Sequence, residues 1–279
     1  MRTWFVTGSS RGFGALIAAE ALAAGNAVVA TARNPQAVLD AIGDHPNLLA
    51  VALDVNDETQ AHAAAEAAVD RFGRIDVLVN NAGFGLVGAV EEATAAEIAR
   101  VFGTNVFGVL TVTRAVLPHM RARRSGHVIN FSSVGGYRAS AGFGIYCSTK
   151  FAVEGFSEAL AAELAPLGVH VTVIEPGYFR TDFLDARSLA ESPARIADYE
   201  ASAGATRARA RQVSGAQQGD PAKLPKAIIA LANLQDPPLR LPFGSDAVAA
   251  IEAKNAAVAA ELAKWRELSL STAFTPAAS

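Results

Sequence analysis

Near the start of the chain, the apolar run Thr3-Trp4-Phe5-Val6 leads into Thr7-Gly8-Ser9-Ser10-Arg11-Gly12-Phe13-Gly14, and an alanine-rich helical segment follows from Ala15. A strand without polar alternation is buried on both faces, which is the habit of parallel sheets covered by helices. At the turn, the N–H groups that open the helix have no intrahelical partner, and a pyrophosphate can sit on them. Gly8 allows the tight turn, Gly12 lets a phosphate approach the backbone, and Gly14 lets the helix lie close on the strand. The spacing is Gly-x-x-x-Gly-x-Gly, not the Gly-x-Gly-x-x-Gly of other dinucleotide folds, and no Gly-Lys-Ser/Thr closes it as in a P-loop. By itself the turn leaves nucleotide binding and ordinary turn chemistry equally open.

The rest of the chain repeats the alternation. Short apolar runs at 3–7, 27–32, 48–53, 76–80, 127–131, 170–175 and 239–241 read as strands. Helical patterns run over 12–24, 57–72, 95–120 (with a kink or break), 144–164, 222–234 and 246–268. Right-handed crossovers between such units give an α/β, doubly wound parallel sheet. With 279 residues, 51% hydrophobic and 18% charged, the chain is expected to form one domain over 1–279.

Composition narrows the partners. A net charge of −3 offers no basic footprint for nucleic acid. The five histidines show no ligand spacing, so no metal is expected. The single cysteine, Cys147, forms no internal disulfide, fits a reducing compartment, and reads as a small packing residue. A first strand at Thr3 leaves no room for a signal peptide, and apolar runs are broken before eighteen residues. The expectation is a cytoplasmic protein without a membrane partner. Arg121, Arg123 and Arg124 read as solvated cations at a helix end.

Tyr146 and Lys150 stand four apart in Tyr146-Cys147-Ser148-Thr149-Lys150, inside a helical segment, so both lie on one face. A phenol ionises only near pH ~10, and an ammonium beside it favours the phenolate. Ser133 lies thirteen residues upstream, at the end of a strand. Together with the glycine turn, Asp54-Val55, Asn80-Asn81-Ala82-Gly83, Asn105, Pro176-Gly177 and Thr181, these residues carry a resemblance. The chain is similar to the short-chain dehydrogenase/reductase family, in its main single-domain branch and its hydroxysteroid and retinol dehydrogenase-like members. The similarity spans residues 3 to about 182.

That resemblance implies a seven-stranded sheet ordered 3-2-1-4-5-6-7 and hydride transfer between a nicotinamide and a carbonyl/alcohol pair. It makes Tyr146 the general acid/base, with Lys150 lowering its pKa and holding the nicotinamide ribose. It gives Ser133 the substrate oxygen; Ser132, one step away in the strand, points to the other face. For Asn105 it implies a proton relay through a water to Lys150, against the simpler option of a hydrogen bond to nearby backbone. Cofactor contacts fall to Gly8, Ser10, Arg11, Gly12, Phe13 and Gly14 in the turn, and to Asp54 and Val55 at the adenine. Asn80, Ala82 and Gly83 lie near the adenosine ribose. Pro176, Gly177 and Thr181 hold the nicotinamide, together with Tyr146 and Lys150.

The second strand ends in Thr31-Ala32-Arg33-Asn34, with no carboxylate to accept from a ribose 2′-OH. Arg33 and Arg11 stand where NADP-preferring relatives carry basic residues. A guanidinium–phosphate bond contributes about 1.5–3 kcal/mol before screening. The expected cofactor is NADP(H), and carbonyl reduction the expected direction.

Between about 181 and 220 the pattern loosens, with Arg207, Arg209 and Arg211 among small residues. This is either a solvated loop-helix or a lid over the substrate cleft, and the family position favours the lid. Phe84, Leu86, Val87, Gly135, Gly142, Phe143, Tyr178 and Phe183 either line an apolar cleft or pack the core; a lipophilic ketone or aldehyde is the expected substrate. Residues 245–268 extend beyond the usual family end as an extra helix. A homodimer or homotetramer is expected, built on the helices of Asn105 and Tyr146. Two other classes remain as alternatives. One is a catalytically silent NADP(H) sensor or scaffold, which typically lacks the tyrosine or lysine. The other is an S-adenosylmethionine methyltransferase, which would have no use for Arg11, Arg33 or the Tyr146/Lys150 pair.

Overall fold

A computed structural model describes residues 1–274. The strands are β1 (Thr3–Thr7), β2 (Ala27–Ala32), β3 (Leu48–Ala52), β4 (Val77–Asn80), β5 (Gly85–Val87), β6 (Gly126–Phe131), β7 (Val169–Pro176), β8 (Leu189–Glu191) and β9 (Arg240–Phe243). Seven form one parallel sheet ordered β3-β2-β1-β4-β6-β7-β9, while β5 and β8 pair separately. With those two short strands left out, the order is the expected 3-2-1-4-5-6-7.

Each strand sends alternate residues to opposite layers. Val77 and Val79 of β4 join the layer of α1 (Gly12–Ala23) and α8 (Lys223–Ala232), where Ile17, Leu224 and Ile228 are buried. Leu78 faces the layer of α3 (Glu58–Phe72) and α5 (Gly108–Arg123), against Ala64, Val112 and Val116. The alanines of α3 let it lie close on the sheet. Asp57 accepts a hydrogen bond from the Gln60 N–H at the start of α3, and Gly73 ends the helix in the left-handed region.

The helix expected over 95–120 is broken as anticipated. α4 (Ala95–Phe102) opens on a Thr94/Glu97 capping box, a π turn covers Gly103–Phe107, and α5 follows. By length and composition alone, 95–123 contains a window long and apolar enough to cross a membrane, although Gly103, Gly108 and Arg114 interrupt it. Half of that window is buried inside the fold, where α5 packs on α3 and the sheet. Nor are all the arginines at its end merely solvated. Arg123 donates to the Ile75 carbonyl and pairs with Asp76 at 3.0 Å, and Arg124 donates to the Pro166 carbonyl.

α2 (Gln36–Ile42) and α7 (Ala205–Val213) were not legible, nor was the β5/β8 pair. α7 and β8 belong to a segment that is tied down. Glu92 is buried; its carboxylate accepts from Arg207 at 2.6 Å, from the Ile196 N–H at 3.0 Å and from the Ala89 N–H at 2.8 Å. These donors hold the Glu92 carboxyl down at about 2. Arg211, one turn from Arg207, pairs with Glu191 of β8 at 2.6 Å. The segment from 182 to 220 is therefore fastened across the carboxyl edge of the main sheet. α6 (Gly144–Leu164) lies beside it. The last helix, α9 (Ser245–Leu270), packs on β9 and the 134–136 turn. Among its residues only Ala247 is buried.

Candidate active site

A cleft of about 860 Å³ opens at the carboxyl ends of the strands, the edge at which open α/β sheets bind ligands. The glycine turn forms one end. Gly8 (φ +68°) lies so near the turn after β4 that a Cβ would meet the Ala82 Cα at 2.9 Å. A Cβ on Gly14 would meet the Gly8 carbonyl oxygen at 2.3 Å, so α1 seats on the turn only because that residue is glycine. Gly12 (φ +55°) has nothing within 4 Å of where a Cβ would be. No side chain caps α1, and no acid sits in its first turn. Free N–H donors, a positive dipole end and open space before Gly12 fit a pyrophosphate. Ser10, Arg11 and Phe13 line the same end, with Phe13 stacked near Phe131 and Phe179.

At the other end, Ser133 follows β6 in extended conformation, its Oγ accepting from the Gly135 N–H at 3.0 Å. A Cβ built on Gly135 would lie 3.5 Å from both Ser133 Oγ and the Tyr146 ring, so the two side chains converge there. Ser132 points away as expected; its buried Oγ lies 2.3 Å from where a Gly136 Cβ would be. Tyr146 sits on α6 between Phe143 and Phe183, at ring distances of 6.1 and 5.5 Å. Lys150, one turn further, is buried and donates to the Phe131 carbonyl at 2.7 Å. Burial brings its pKa down to about 8, against the pull of Glu154. The phenol moves opposite to the sequence expectation. Burial raises the Tyr146 pKa, and the opposing influence is the Ser133 hydrogen bond. The lysine, held 5.9 Å from the ring centre by its bond to Phe131, does not offset that burial.

Most other anticipated residues line this cleft: Arg33, Asp54, Val55, Ala82 and Gly83 toward the β1 turn, and Pro176, Gly177 and Thr181 after β7. The Asp54 carboxylate accepts from the Asn56 N–H at 3.0 Å. Arg11 is diverted: its guanidinium donates to the Arg187 carbonyl at 2.8 Å and to Ser188 Oγ at 3.1 Å, across the cleft mouth. Arg33 is exposed, with no side-chain hydrogen bond among the described residues.

Asn80 does not reach the cleft. Its carboxamide is buried on the α5 side, donating to Thr113 Oγ1 and Asn130 Oδ1, both at 2.9 Å. The cleft residue is Asn81, which donates to the Thr7 carbonyl at 2.9 Å and ties β4 to the glycine turn. Strand alternation held the clue, since Asn80 shares the face of Leu78. Asn105 sits behind the wall, in the π turn. Its side chain accepts from the Phe84 N–H at 3.0 Å and donates to the Phe84 carbonyl at 2.9 Å and Thr149 Oγ1 at 3.1 Å. These bonds tie Asn105 to the Phe84 backbone, beside Lys150: a Cβ on Gly83 would lie 3.1 Å from Asn105 Oδ1 and 3.7 Å from Lys150 Nζ. Of the apolar set, Phe84, Gly135, Phe143, Tyr178 and Phe183 line the cleft. Leu86 and Val87 are buried behind it, and Gly142 packs against Thr206. Residues missed from sequence include Asp246 at the start of α9, whose carboxylate accepts from the Tyr178 N–H at 2.8 Å.

A parallel doubly wound sheet with this turn and this Ser133/Tyr146/Lys150 grouping defines a nicotinamide oxidoreductase class. Comparison with known proteins agrees. The profile of the short chain dehydrogenase family matches residues 2–192. Oxidoreductase BOA17 of Botryotinia fuckeliana is 40% identical over 274 residues, covering 98% of this chain and 99% of that one. The solved structure of a short-chain dehydrogenase from Streptomyces avermitilis superposes with a TM-score of 0.90 at 42% identity, covering 98% and 100% of the two chains. A 3-ketoacyl-(acyl-carrier-protein) reductase from Brucella melitensis, solved with NADH, has a TM-score of 0.73 at 27% identity, covering 86% and 96%. The chain belongs to the short-chain dehydrogenase family and is an oxidoreductase.

One group below the site has a consequence for stability. Glu175, the residue before Pro176, is buried with its Oε1 unpartnered. Desolvation, then the neighbouring Glu154 carboxylate, raises its pKa to about 7, with Arg240 opposing. An acid with a raised folded pKa contributes fully below its unfolded value of 4.5 and loses that contribution as pH climbs through 7. Unfolding stability should therefore fall between about pH 4.5 and 7 in the native chain. Glu175→Gln, which mimics the protonated acid, should flatten that fall in denaturant titrations; an unchanged slope would refute the assignment.

Proposed function

We propose that this chain is an NADP(H)-dependent carbonyl reductase and alcohol dehydrogenase, acting on a lipophilic ketone, aldehyde or secondary alcohol. The observation that carries the reading is Tyr146, held protonated by burial between Ser133 and an aromatic wall. A phenol kept neutral is suited to giving its proton to a carbonyl oxygen as that oxygen becomes an alkoxide. Ser133, converging on the same point, donates a second hydrogen bond to the oxygen where charge develops.

A nicotinamide bound in the cleft supplies or takes up the hydride. The α1 N-terminus and the Gly12 gap would receive the pyrophosphate, Asp54 and Val55 would hold the adenine end, and Pro176, Gly177 and Thr181 the nicotinamide end. Lys150, with a pKa near 8, is poised to return a proton to Tyr146 Oη after turnover. Phe143, Phe183 and Leu184 give the substrate side its apolar character. The segment from 182 to 220, stapled through Glu92 and β8, serves as the lid. The same reading places the enzyme in the cytoplasm, where a reduced NADP pool favours carbonyl reduction.

Tyr146→Phe removes the proton donor and leaves the cleft's shape. Turnover of an aromatic ketone with NADPH should fall by about 10²–10⁴-fold, with cofactor affinity nearly unchanged. Activity within a few-fold of the native enzyme would sink the assignment.

Cofactor choice rests on Arg33, the exposed guanidinium at the end of β2. Replacing it with alanine should weaken NADPH binding by roughly tenfold or more and leave NADH little affected, as one charge-assisted bond is worth about 1.5–3 kcal/mol. Equal losses for both cofactors, read by fluorescence titration, would show that no 2′-phosphate is recognised there.

A dimer through α5 and α6 completes the reading. On α6, Val153 and Leu164 are buried in the subunit, whereas Phe151 is 43% exposed, and Phe107 at the start of α5 is 60% exposed. α9, packed on β9 and the 134–136 turn, leaves these faces uncapped. Sedimentation equilibrium should give twice the chain mass of 28.9 kDa, or four times; a single species at 28.9 kDa would refute it.

A further inference from the structure

Gly244 (φ +104°) turns the chain out of β9, and the first residues of α9 return to the cleft, where Asp246 and Ala250 are part of the lining. Standing four apart, these two share one helix face. Asp246 is fastened to the turn after β7. Its carboxylate accepts from the Tyr178 N–H at 2.8 Å, and a Cβ on Gly177 would lie 2.3 Å from its Oδ1, so helix and turn meet at a glycine. The Gly177 N–H in turn donates to the Phe243 carbonyl at 2.8 Å. Further along α9, Asn255 accepts from the Tyr137 hydroxyl, on the stretch that joins Ser133 to Tyr146. At about 1.5 Å of rise per residue, the two anchors stand about 13 Å apart. Between them α9 packs on the 134–136 turn. The helix thus bridges the segment that carries Ser133 and the segment that carries Pro176.

Resting on the carbonyl-reductase reading, we propose that the first turns of α9 are a wall of the substrate pocket, and that Ala250 is the residue on that wall which sets how bulky a ketone the pocket admits. Ala250 stands between the two anchors and lines the same cleft as Ser133, Tyr146 and Tyr178. It is partly buried, whereas every residue from Glu252 to Leu270 is exposed. The contact of α9 with the cleft is therefore confined to its start.

The side chain at 250 is a single methyl. Ala247, one turn before it, is fully buried and closes off the β9 side. A larger apolar side chain at 250 leaves water by entering the cleft. There it takes space from the substrate and from nothing else, because Ala250 touches neither anchor's hydrogen bond and the glycine turn lies at the other end of the cleft. In an apolar pocket a difference of one or two carbon groups discriminates by about tenfold or more. The anchors matter to this selection, since a wall held at both ends cannot swing aside to admit a larger ligand.

The test is equilibrium binding to the full-length protein saturated with NADP⁺, which cannot reduce the ligand. Acetophenone and 2-acetylnaphthalene, methyl ketones that differ by one fused ring, are compared by calorimetry. Ala250→Phe should weaken the naphthyl ketone by about tenfold or more and acetophenone by less than about threefold. Ala250→Leu, a smaller change that the helix tolerates easily, should fall between. Ala256→Phe, on an exposed turn of the same helix, should alter neither. NADPH affinity, read by fluorescence, should be unchanged in every variant. Equal losses for both ketones, no loss for either, or the same losses from Ala256→Phe would overturn the proposal. Turnover of the two ketones with NADPH is measured separately. Its absence in the native chain, with the size discrimination in binding intact, would strike the carbonyl-reductase reading and leave the α9 wall standing.

Discussion

α1 can seat on the first turn only because Gly14 has no side chain, since a methyl there would stand 2.3 Å from the Gly8 carbonyl oxygen and 2.5 Å from the Asn81 amide nitrogen. The Asn81 amide donates to the Thr7 carbonyl, and the Asn81 N–H donates to Thr7 Oγ1. The β1 turn, the start of α1 and the turn after β4 are thereby one unit. That unit aims the helix N-terminus into the cleft. Two residues on, a Cβ at Gly83 would lie 3.1 Å from Asn105 Oδ1 and 3.7 Å from Lys150 Nζ. The glycine turn and Lys150 both abut the turn after β4, so neither is placed independently of the other.

Desolvation sets the electrostatics of the other end. Tyr146, Lys150 and Glu175 are each moved from their ordinary pKa chiefly by burial, and each toward its neutral form. Of the three, Tyr146 is held neutral at pH 7, whereas Lys150, at about 8, keeps most of its charge there. Side-chain pairing works the other way at the periphery, where Glu92 is kept ionised by Arg207 and two backbone N–H groups.

Local pattern carried the sheet, most of the helices and the grouping of Ser133, Tyr146 and Lys150, because each depends on spacing within one or two elements. Asn80 was misplaced because the motif was read without the strand's period of two, which turns it toward Thr113 and Asn130. The Lys150 effect on Tyr146 was misjudged because spacing gives proximity but not burial, and burial dominates here. Arg11 was read as a cofactor ligand alone because its contact with Arg187 and Ser188 crosses some 176 residues of sequence. Such a contact leaves no local signature. The short β5/β8 pair is hidden for the same reason, its partners lying about a hundred residues apart.

The lid shows what a loose sequence can conceal. Its alternating arginines suggest a solvated surface, yet Arg207 is turned inward to a carboxylate that is itself buried. Burying an ion pair seldom adds net stability, since desolvation of both charges offsets their attraction. What it gives is register, because a half-made pair is far worse than a complete one. Ala89, next to β5, holds the Glu92 carboxylate in place, and Arg207 of α7 and Ile196 from the stretch before it must both reach it, which fixes how the 182–220 segment lies. That placement seats β8 on β5 and brings Thr206 onto the segment between Ser133 and Tyr146. The buried charge thus fixes the 182–220 segment against the stretch that joins Ser133 to Tyr146, and with it the shape of the cleft.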